Sequence, residues 1–302
     1  MKPDPSFSSA TGTRPDRRST FNAKRPSTLD KAAAAKGATP GPRLRGTGGK
    51  EGIMQSTDER FAAIREEFGP DALARVEEMM APGGIPRHPL QAGAKWILPG
   101  ISQWPWHDPR GDPAIATLVD ALENAHGAIR SEHERAWRTR RTAFSDYEHY
   151  LTRQDDWQSL YLYQDGELNP ESAELAPTAF RVIRDAAVAD GLICPLLESH
   201  FSTLLPGSRI APHSDLWNFS INLHFAVDIP DGCDITVAGE TRTWEEGRCL
   251  LFDYSFEHHA ENRGDRPRTC LLIDLWHPET TEPERRALTV LVTEVRKLLA
   301  DM

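Results

Sequence analysis

Apolar residues at three- to four-residue spacing open the readable part of the chain. Phe61, Ile64 and Phe68 fall on one helical face, and Gly69-Pro70 closes it. Ser56 and Glu59 have the spacing of a capping box, which predicts that this helix starts near Ser56. Leu73, Val76 and Met79 predict a second short helix over Asp71 to Met80, ended by Ala81-Pro82-Gly83-Gly84. An aromatic loop follows, with Trp96-Ile97-Leu98-Pro99-Gly100 and Trp104-Pro105-Trp106. Ile115, Leu118, Leu122, Ala125 and Ile129 then predict one long helix from about Pro113 to Arg138.

From Trp157 the period changes to that of strands. Trp157–Tyr163 reads as a strand, residues 173–190 as a helix, and the rest as short strands. These are His200–Leu205, Asn218–Val227, Asp234–Val237, Glu240–Thr243, Cys249–Phe252 and Thr269–Leu275, parted by turns such as Pro206-Gly207 and Pro230-Asp231-Gly232. Many short strands at close spacing predict a β-sandwich or jelly roll. Leu288, Leu291, Val292, Val295 and Leu299 form the inner face of a closing helix from about Glu282 to Leu299.

Composition narrows the class. The chain has 302 residues, 39% of them hydrophobic and 26% charged, which fits a folded globular protein. No apolar run nears the roughly 18 residues of a membrane span, and no apolar stretch marks a secretory leader. Residues 1–50 hold 11 Lys/Arg against 3 Asp/Glu, a net of +8, so the other residues carry −18 of the overall −10. That acidic body excludes nucleic acid as main partner. The first 53 residues are Ser-, Pro-, Gly- and Ala-rich and are expected to be a disordered basic tail. Residues 54–90 are expected to be a helical extension, an interaction element or lid. Residues 91–302 form the main domain. Four cysteines without a CxxC pair leave no disulfide scaffold or cysteine zinc site, and a cytoplasmic location is expected.

The candidate chemistry lies in Pro212-His213-Ser214-Asp215, Phe252-Asp253-Tyr254-Ser255-Phe256-Glu257-His258-His259, and Arg268. His213 and Asp215 project to one side of an extended segment, and His258 arrives from another strand. Two imidazoles and a carboxylate on one face of a metal leave positions open opposite, the facial triad of non-haem iron(II) oxygenases. Those positions admit a chelating 2-oxoacid and O2. Arg268 follows at strand distance, and its planar fork suits the far carboxylate of such a co-substrate. The pattern also leaves room for a zinc or nickel cupin that binds metal or ligand without oxygen chemistry. Asp253 is a competing ligand. Phe219 and Phe225 read as core, and Trp217 as a pocket candidate.

The same segments resemble the aspartyl/asparaginyl β-hydroxylase family. The likeness runs through Trp104-Pro105-Trp106, Leu162-Tyr163-Gln164-Asp165-Gly166, Phe201-Ser202-Thr203-Leu204-Leu205-Pro206-Gly207 and Ala211-Pro212-His213. It continues through Ile229-Pro230-Asp231-Gly232-Cys233, Thr243-Trp244-Glu245-Glu246-Gly247, Phe252 to His258 and Leu272 to Glu279. It covers roughly residues 96–290. It implies an α+β fold with a mainly β core, a double-stranded β-helix (jelly roll, cupin-like) over about 157–280 flanked by helices. It implies an Fe(II)- and 2-oxoglutarate-dependent dioxygenase that uses O2 and releases succinate and CO2. His213 and His258 match the family's metal histidines, and Arg268 and Ser202 the residues at the distal carboxylate of 2-oxoglutarate. His224 matches a histidine near its other end.

Two positions depart from the family. Vertebrate members have glycine where this chain has Asp215, so the triad here is complete, which argues against halogenation. Asn222 stands where an arginine is usual, two before the histidine, which removes a fixed cation and puts Asn222 beside Trp217 as a substrate-side candidate. The expected substrate is an amino acid, free, in a peptide or tethered to a carrier, hydroxylated at Cβ. Residues 1–90 then read as a docking module for such a carrier or precursor protein.

Overall fold

The computed structural model describes residues 48–83, 85–147, 151–189, 191–193 and 198–300. Side-chain alternation along its last strand sets the architecture. In β12 (Arg268–Trp276), Leu271, Ile273 and Leu275 face one apolar layer, while Cys270 and Leu272 face another. A strand apolar on both faces must be covered on both. One face is covered by helices and the other by a second sheet.

The major sheet contains β1 (Trp106–His107), β2 (Ser145–Asp146), β3 (Trp157–Gln164), β4 (Glu167–Leu168), β5 (Ser199–Leu204), β7 (Ser220–Asp228), β10 (Cys249–Phe252) and β12. Its order is β1-β10-β7-β12-β5-β3-β2, with β4 on β3. The minor sheet, β6-β11-β8-β9, consists of β6 (Ser208–His213), β11 (His258–Asn262), β8 (Cys233–Val237) and β9 (Glu240–Arg242). The strand pairings within both sheets are antiparallel. Leu204, Ala226 and Cys270 of the major sheet meet Ile210, Ile235, Val237 and Ala260 of the minor one. This is the jelly roll expected from the strand pattern.

The strands expected around 200, 220, 234, 240, 249 and 269 are present within one or two residues. β6 and β11 were expected only as an extended segment bearing His213 and a strand bringing in His258, without bounds. Their residues, Ser-Arg-Ile-Ala-Pro-His and His-His-Ala-Glu-Asn, carry too few apolar side chains to alternate visibly. β1 and β2 also extend the sheet outside 157–280.

Helices α3 (Pro113–Asn124), α4 (His126–Thr139), α5 (Pro170–Leu175) and α6 (Pro177–Ile183) follow α1 (Gly48–Phe68) and α2 (Ala74–Met80). Ile115, Leu118, Leu122, Ile129 and Ile183 pack on Leu160, Phe201, Leu223, Phe225, Leu271 and Ile273 of the major sheet. Each fully buried aliphatic or aromatic side chain contributes about 1.5–3 kcal/mol over leaving it exposed. Asp112 caps α3, accepting from the N–H groups of Ala114 (2.9 Å) and Ile115 (3.1 Å), with Pro113 at the first helical position.

The helix expected over Pro113–Arg138 is instead two. Ala125 leaves helical geometry at φ −94°, ψ 3°, and His126 turns its Nε2 to the Val227 carbonyl at 3.0 Å. The helix expected over 173–190 is broken as well. Pro177 has no N–H to donate and holds Ala176 at φ −128°, ψ 62°, so α5 ends there and α6 begins. A π-helical turn, Arg184–Val188, follows α6.

α1 begins at Gly48, inside the stretch expected to be tail, and runs through Ser56. Ser56 is therefore helix interior and no cap, because Lys50–Gln55 holds no strong helix breaker beyond Gly52. Residues 1–47 of the expected tail lie outside the described residues. α1 and α2 pack their Phe61, Ile64, Leu73, Val76 and Met79 against Leu288 and Val292 of α7 (Glu282–Ala300) and against Trp217 and Trp276. Glu284 reaches back to the Thr281 N–H at 2.8 Å, a cap for α7. The same carboxylate accepts from Nε and Nη2 of Arg75, each at 2.6 Å, tying α2 to α7.

Candidate metal centre and its cavity

The last residue of β6 and the first of β11 are cross-strand partners, and they are His213 and His258. Antiparallel pairing brings their rings to 4.1 Å between centroids. Each Nδ1 lies 2.9 Å from a carbonyl two residues back, Ala211 for His213 and Phe256 for His258. A carbonyl only accepts, so both Nδ1 atoms carry the proton and both Nε2 atoms keep a lone pair. The N–H of Asp215 donates to the Tyr254 carbonyl at 2.9 Å, which holds the loop after β6 against the loop before β11. Asp215 Oδ2 then stands 3.6 Å from His258 Nε2, and one donor atom from each of His213, Asp215 and His258 lies within 4.8 Å of the others.

Burial lowers His213 to about 4. It pushes His258 well below its ordinary value, with the neighbouring His213 adding to the effect. Both imidazoles are neutral at pH 7, the form that binds metal. Gly93 packs on the residue between two of these ligands. A Cβ at Gly93 would meet Ser214 Cβ at 2.8 Å, so the ligand loop is seated against bare backbone.

A cavity of about 160 Å³ opens from the three residues. Its wall is the inner face of β5, β12 and β7, three neighbouring strands. Arg268, opposite Leu204, stands at one end. Ser202 is opposite Cys270, His200 and His224 flank Leu272, and Asn222 is opposite Asp274 at the far end. Arg268 is 1% exposed, its carbon centre 4.6 Å above the Trp244 ring. Its Nε has no hydrogen-bond acceptor, and among the described residues no carboxylate pairs with it. His224 stacks on Trp244 at 6.0 Å and 10°. Burial, helped by Arg268, holds His224 well below its ordinary pKa, and its Nδ1 is buried without a partner. Ser202 Oγ accepts from Trp157 Nε1 at 2.8 Å.

The donor set therefore suits a divalent metal with nitrogen and oxygen ligands. The unpaired cation, the Ser202 hydroxyl and the orphaned His224 nitrogen suit a bound anion. Trp217 lines the cavity and is also packed between Trp96 and Phe219, its Nε1 donating to Ser220 Oγ at 3.1 Å. Asn222 lines it too, and donates from Nδ2 to Asp274. Asp253 does not join the cluster. Its Oδ1 accepts the Ser255 N–H at 2.9 Å within a turn, and burial raises it to about 7. Phe219 and Phe225 are core.

Sequence reading missed Trp157, Trp244, His200, Glu198, Asp274 and Arg296, all beside the cavity or its ligands. Asp274 carried a signal. It is a lone carboxylate in the apolar run Leu271-Leu272-Ile273-Asp274-Leu275.

Two facing antiparallel sheets with a His-x-Asp and distal His cluster between them define a cupin-like jelly roll with a candidate metal site. The sequence profile of the aspartyl/asparaginyl beta-hydroxylases matches residues 123–278, and the chain belongs to that family. It is 33% identical over 190 residues to aspartyl/asparaginyl beta-hydroxylase of Mus musculus, which covers 63% of this chain and 25% of the mouse protein. It is 33% identical over 250 residues to human aspartate beta-hydroxylase domain-containing protein 2, covering 79% of this chain and 66% of that one. The match thus spans about a quarter of the mouse relative. Among solved structures, a Pseudomonas putida prolyl-4-hydroxylase aligns with a TM-score of 0.34 at 15% identity, over 54% of this chain and all of the other.

Proposed function

We propose that the protein is an Fe(II)- and 2-oxoglutarate-dependent dioxygenase that hydroxylates an unactivated C–H, at Cβ, of an amino acid. The observation that carries this reading is the convergence of His213, Asp215 and His258 on one cavity, with a buried Arg268 on its wall that no carboxylate among the described residues pairs with. The reaction balances as R–H + O2 + 2-oxoglutarate giving R–OH, succinate and CO2. Iron, when bound, supplies the activation of O2 that no side chain provides.

The chain's own residues do the rest. His213, Asp215 and His258 would hold the ion. The hydrogen bonds from their Nδ1 atoms to Ala211 and Phe256 fix the two rings, so that the Nε2 lone pairs face inward at no further ordering cost. Arg268 and the Ser202 hydroxyl take the distal carboxylate of 2-oxoglutarate, and the Trp244 ring supports the guanidinium by a cation–π contact. His224 offers its orphaned nitrogen near the other end of that co-substrate. Trp217, Phe252 and Leu272 exclude water from the cavity. The cytoplasm is the proposed location, supported by buried free thiols at Cys233, Cys249 and Cys270.

The test is succinate formation with Fe(II), 2-oxoglutarate and a panel of amino acids and peptides, with mass spectrometry for one added oxygen. The reading predicts turnover in the native protein and loss of it in His213→Ala. Absence of 2-oxoglutarate turnover across the panel contradicts it.

A further inference from the structure

The end of the cavity remote from Arg268 has a different chemistry. Asp274 is opposite Asn222 across β12 and β7, and its Oδ2 accepts the Glu198 N–H at 3.1 Å. The Glu198 side chain lines the same space, with Oε2 4.0 Å from His200 Nδ1. Arg296 enters from α7. It pairs with Asp165 at 3.0 Å and lines the cavity with Asp274 and Glu198. Glu198 and Asp274 therefore meet at this end of the cavity, with Arg296 close enough to act electrostatically on Asp274.

Polar groups beside them lack protein partners. His200 is 4% exposed, and among the described residues neither of its ring nitrogens has a hydrogen bond, nor does the buried Asn222 Oδ1 have a donor. Burial lowers His200 to about 3, so it is neutral and can both donate and accept. Buried polar atoms left this way call for a ligand. The dianion 2-oxoglutarate does not suit this end, because it brings no positive charge to answer Asp274 and Glu198.

We infer that this end binds the zwitterionic head of a free α-amino acid, with Arg296 taking the carboxylate and Glu198 and Asp274 the ammonium. A residue inside a peptide has neither charge on its backbone, whereas a free amino acid has both. The inference rests on the hydroxylase reading and narrows its substrate class. Asn222 carries no charge, so Arg296, entering from α7, supplies the cation at this end of the cavity. His200 and Asn222 Oδ1 complete the hydrogen bonds of the head group.

The experiment uses the full chain loaded anaerobically with Fe(II) and 2-oxoglutarate, then given O2 with the common L-amino acids, their N-acetyl derivatives and their amides. At least one free amino acid is expected to be hydroxylated with kcat/KM about tenfold or more above its acetylated and amidated forms. Arg296→Gln is expected to raise KM for that amino acid about tenfold or more with kcat within about threefold, and to leave the 2-oxoglutarate Kd within about twofold. A purely structural role for Arg296 would lower both kcat and 2-oxoglutarate affinity. Equal turnover of the blocked forms, no hydroxylated amino acid in the panel, or an unchanged KM in Arg296→Gln overturns the inference. Failure of 2-oxoglutarate to perturb the spectrum of the anaerobic Fe(II) protein overturns the hydroxylase reading and the inference with it. A normal spectrum with an indifferent panel overturns the inference alone.

Discussion

Replacing Arg268 by methionine separates a ligand-holding cation from a structural one, because the two roles change stability in opposite directions. The guanidinium is buried, has no carboxylate partner among the described residues, and leaves Nε unsatisfied. Burying a cation this way costs several kcal/mol, offset in part by about 2 kcal/mol from the Trp244 ring. Methionine fills similar length without charge, so Arg268→Met is expected to leave the ligand-free protein unchanged or about 1–3 kcal/mol more stable. If Arg268 holds the distal carboxylate as proposed, the same change removes up to two charge-assisted hydrogen bonds, each about 1.5–3 kcal/mol. A loss of about 3–4 kcal/mol raises the 2-oxoglutarate Kd by about 100- to 1000-fold. Anaerobic titration of the Fe(II) protein gives the second number, and urea unfolding of the metal-free protein gives the first. A Kd within about threefold of native, or a destabilisation above about 3 kcal/mol, refutes the reasoning.

Gly93→Ala places a Cβ 2.8 Å from Ser214 Cβ, between His213 and Asp215, and is expected to weaken Fe(II) binding by about tenfold in a metal titration. Native affinity would show that the loop has room to move. Leu73→Ala in the cluster shared by α2 and α7 is expected to cost about 2–5 kcal/mol in the main unfolding transition, and an unchanged midpoint would mark residues 54–90 as a separable module. The metal-free protein is expected to lose stability from pH 6.5 toward 4.5. Burial holds His133 and His213 at about 4 and His200 at about 3. The unfolded chain therefore binds more protons in that window, at up to about 1.4 kcal/mol per pH unit for each group. Burial raises Asp253 to about 7 and Asp274 to about 6, which opposes this trend, but His224 and His258 sit well below their ordinary values and add to it. Urea midpoints at pH 7 and pH 5 check the sign, and a higher midpoint at pH 5 contradicts it.

How far the sequence carried depended on whether a position was held by burial or by pairing. The apolar runs of β7 and β12 alternate or stay apolar because both faces are covered, so their extents were legible. β6 and β11 were not, because their inward positions hold His213 and His258 where a strand would otherwise place apolar residues. The ligands were readable from residue type and spacing, but their meeting across one cross-strand pair was not. The break at Ala125 depends on His126 reaching a carbonyl about a hundred positions away, which no local pattern records. Asn222 was noted for the cation it lacks. Its pairing with Asp274 and the arrival of Arg296 from α7 depend on packing between elements far apart in sequence.

The most direct test of the metal centre is anaerobic Fe(II) binding followed by 2-oxoglutarate addition, read in the visible spectrum for native protein, His213→Ala and His258→Ala. One ferrous ion per native chain and a weak charge-transfer band on adding 2-oxoglutarate are expected, with both lost in each variant. Native-like iron binding in either histidine variant, or a tight zinc site in the native protein indifferent to 2-oxoglutarate, would contradict the account.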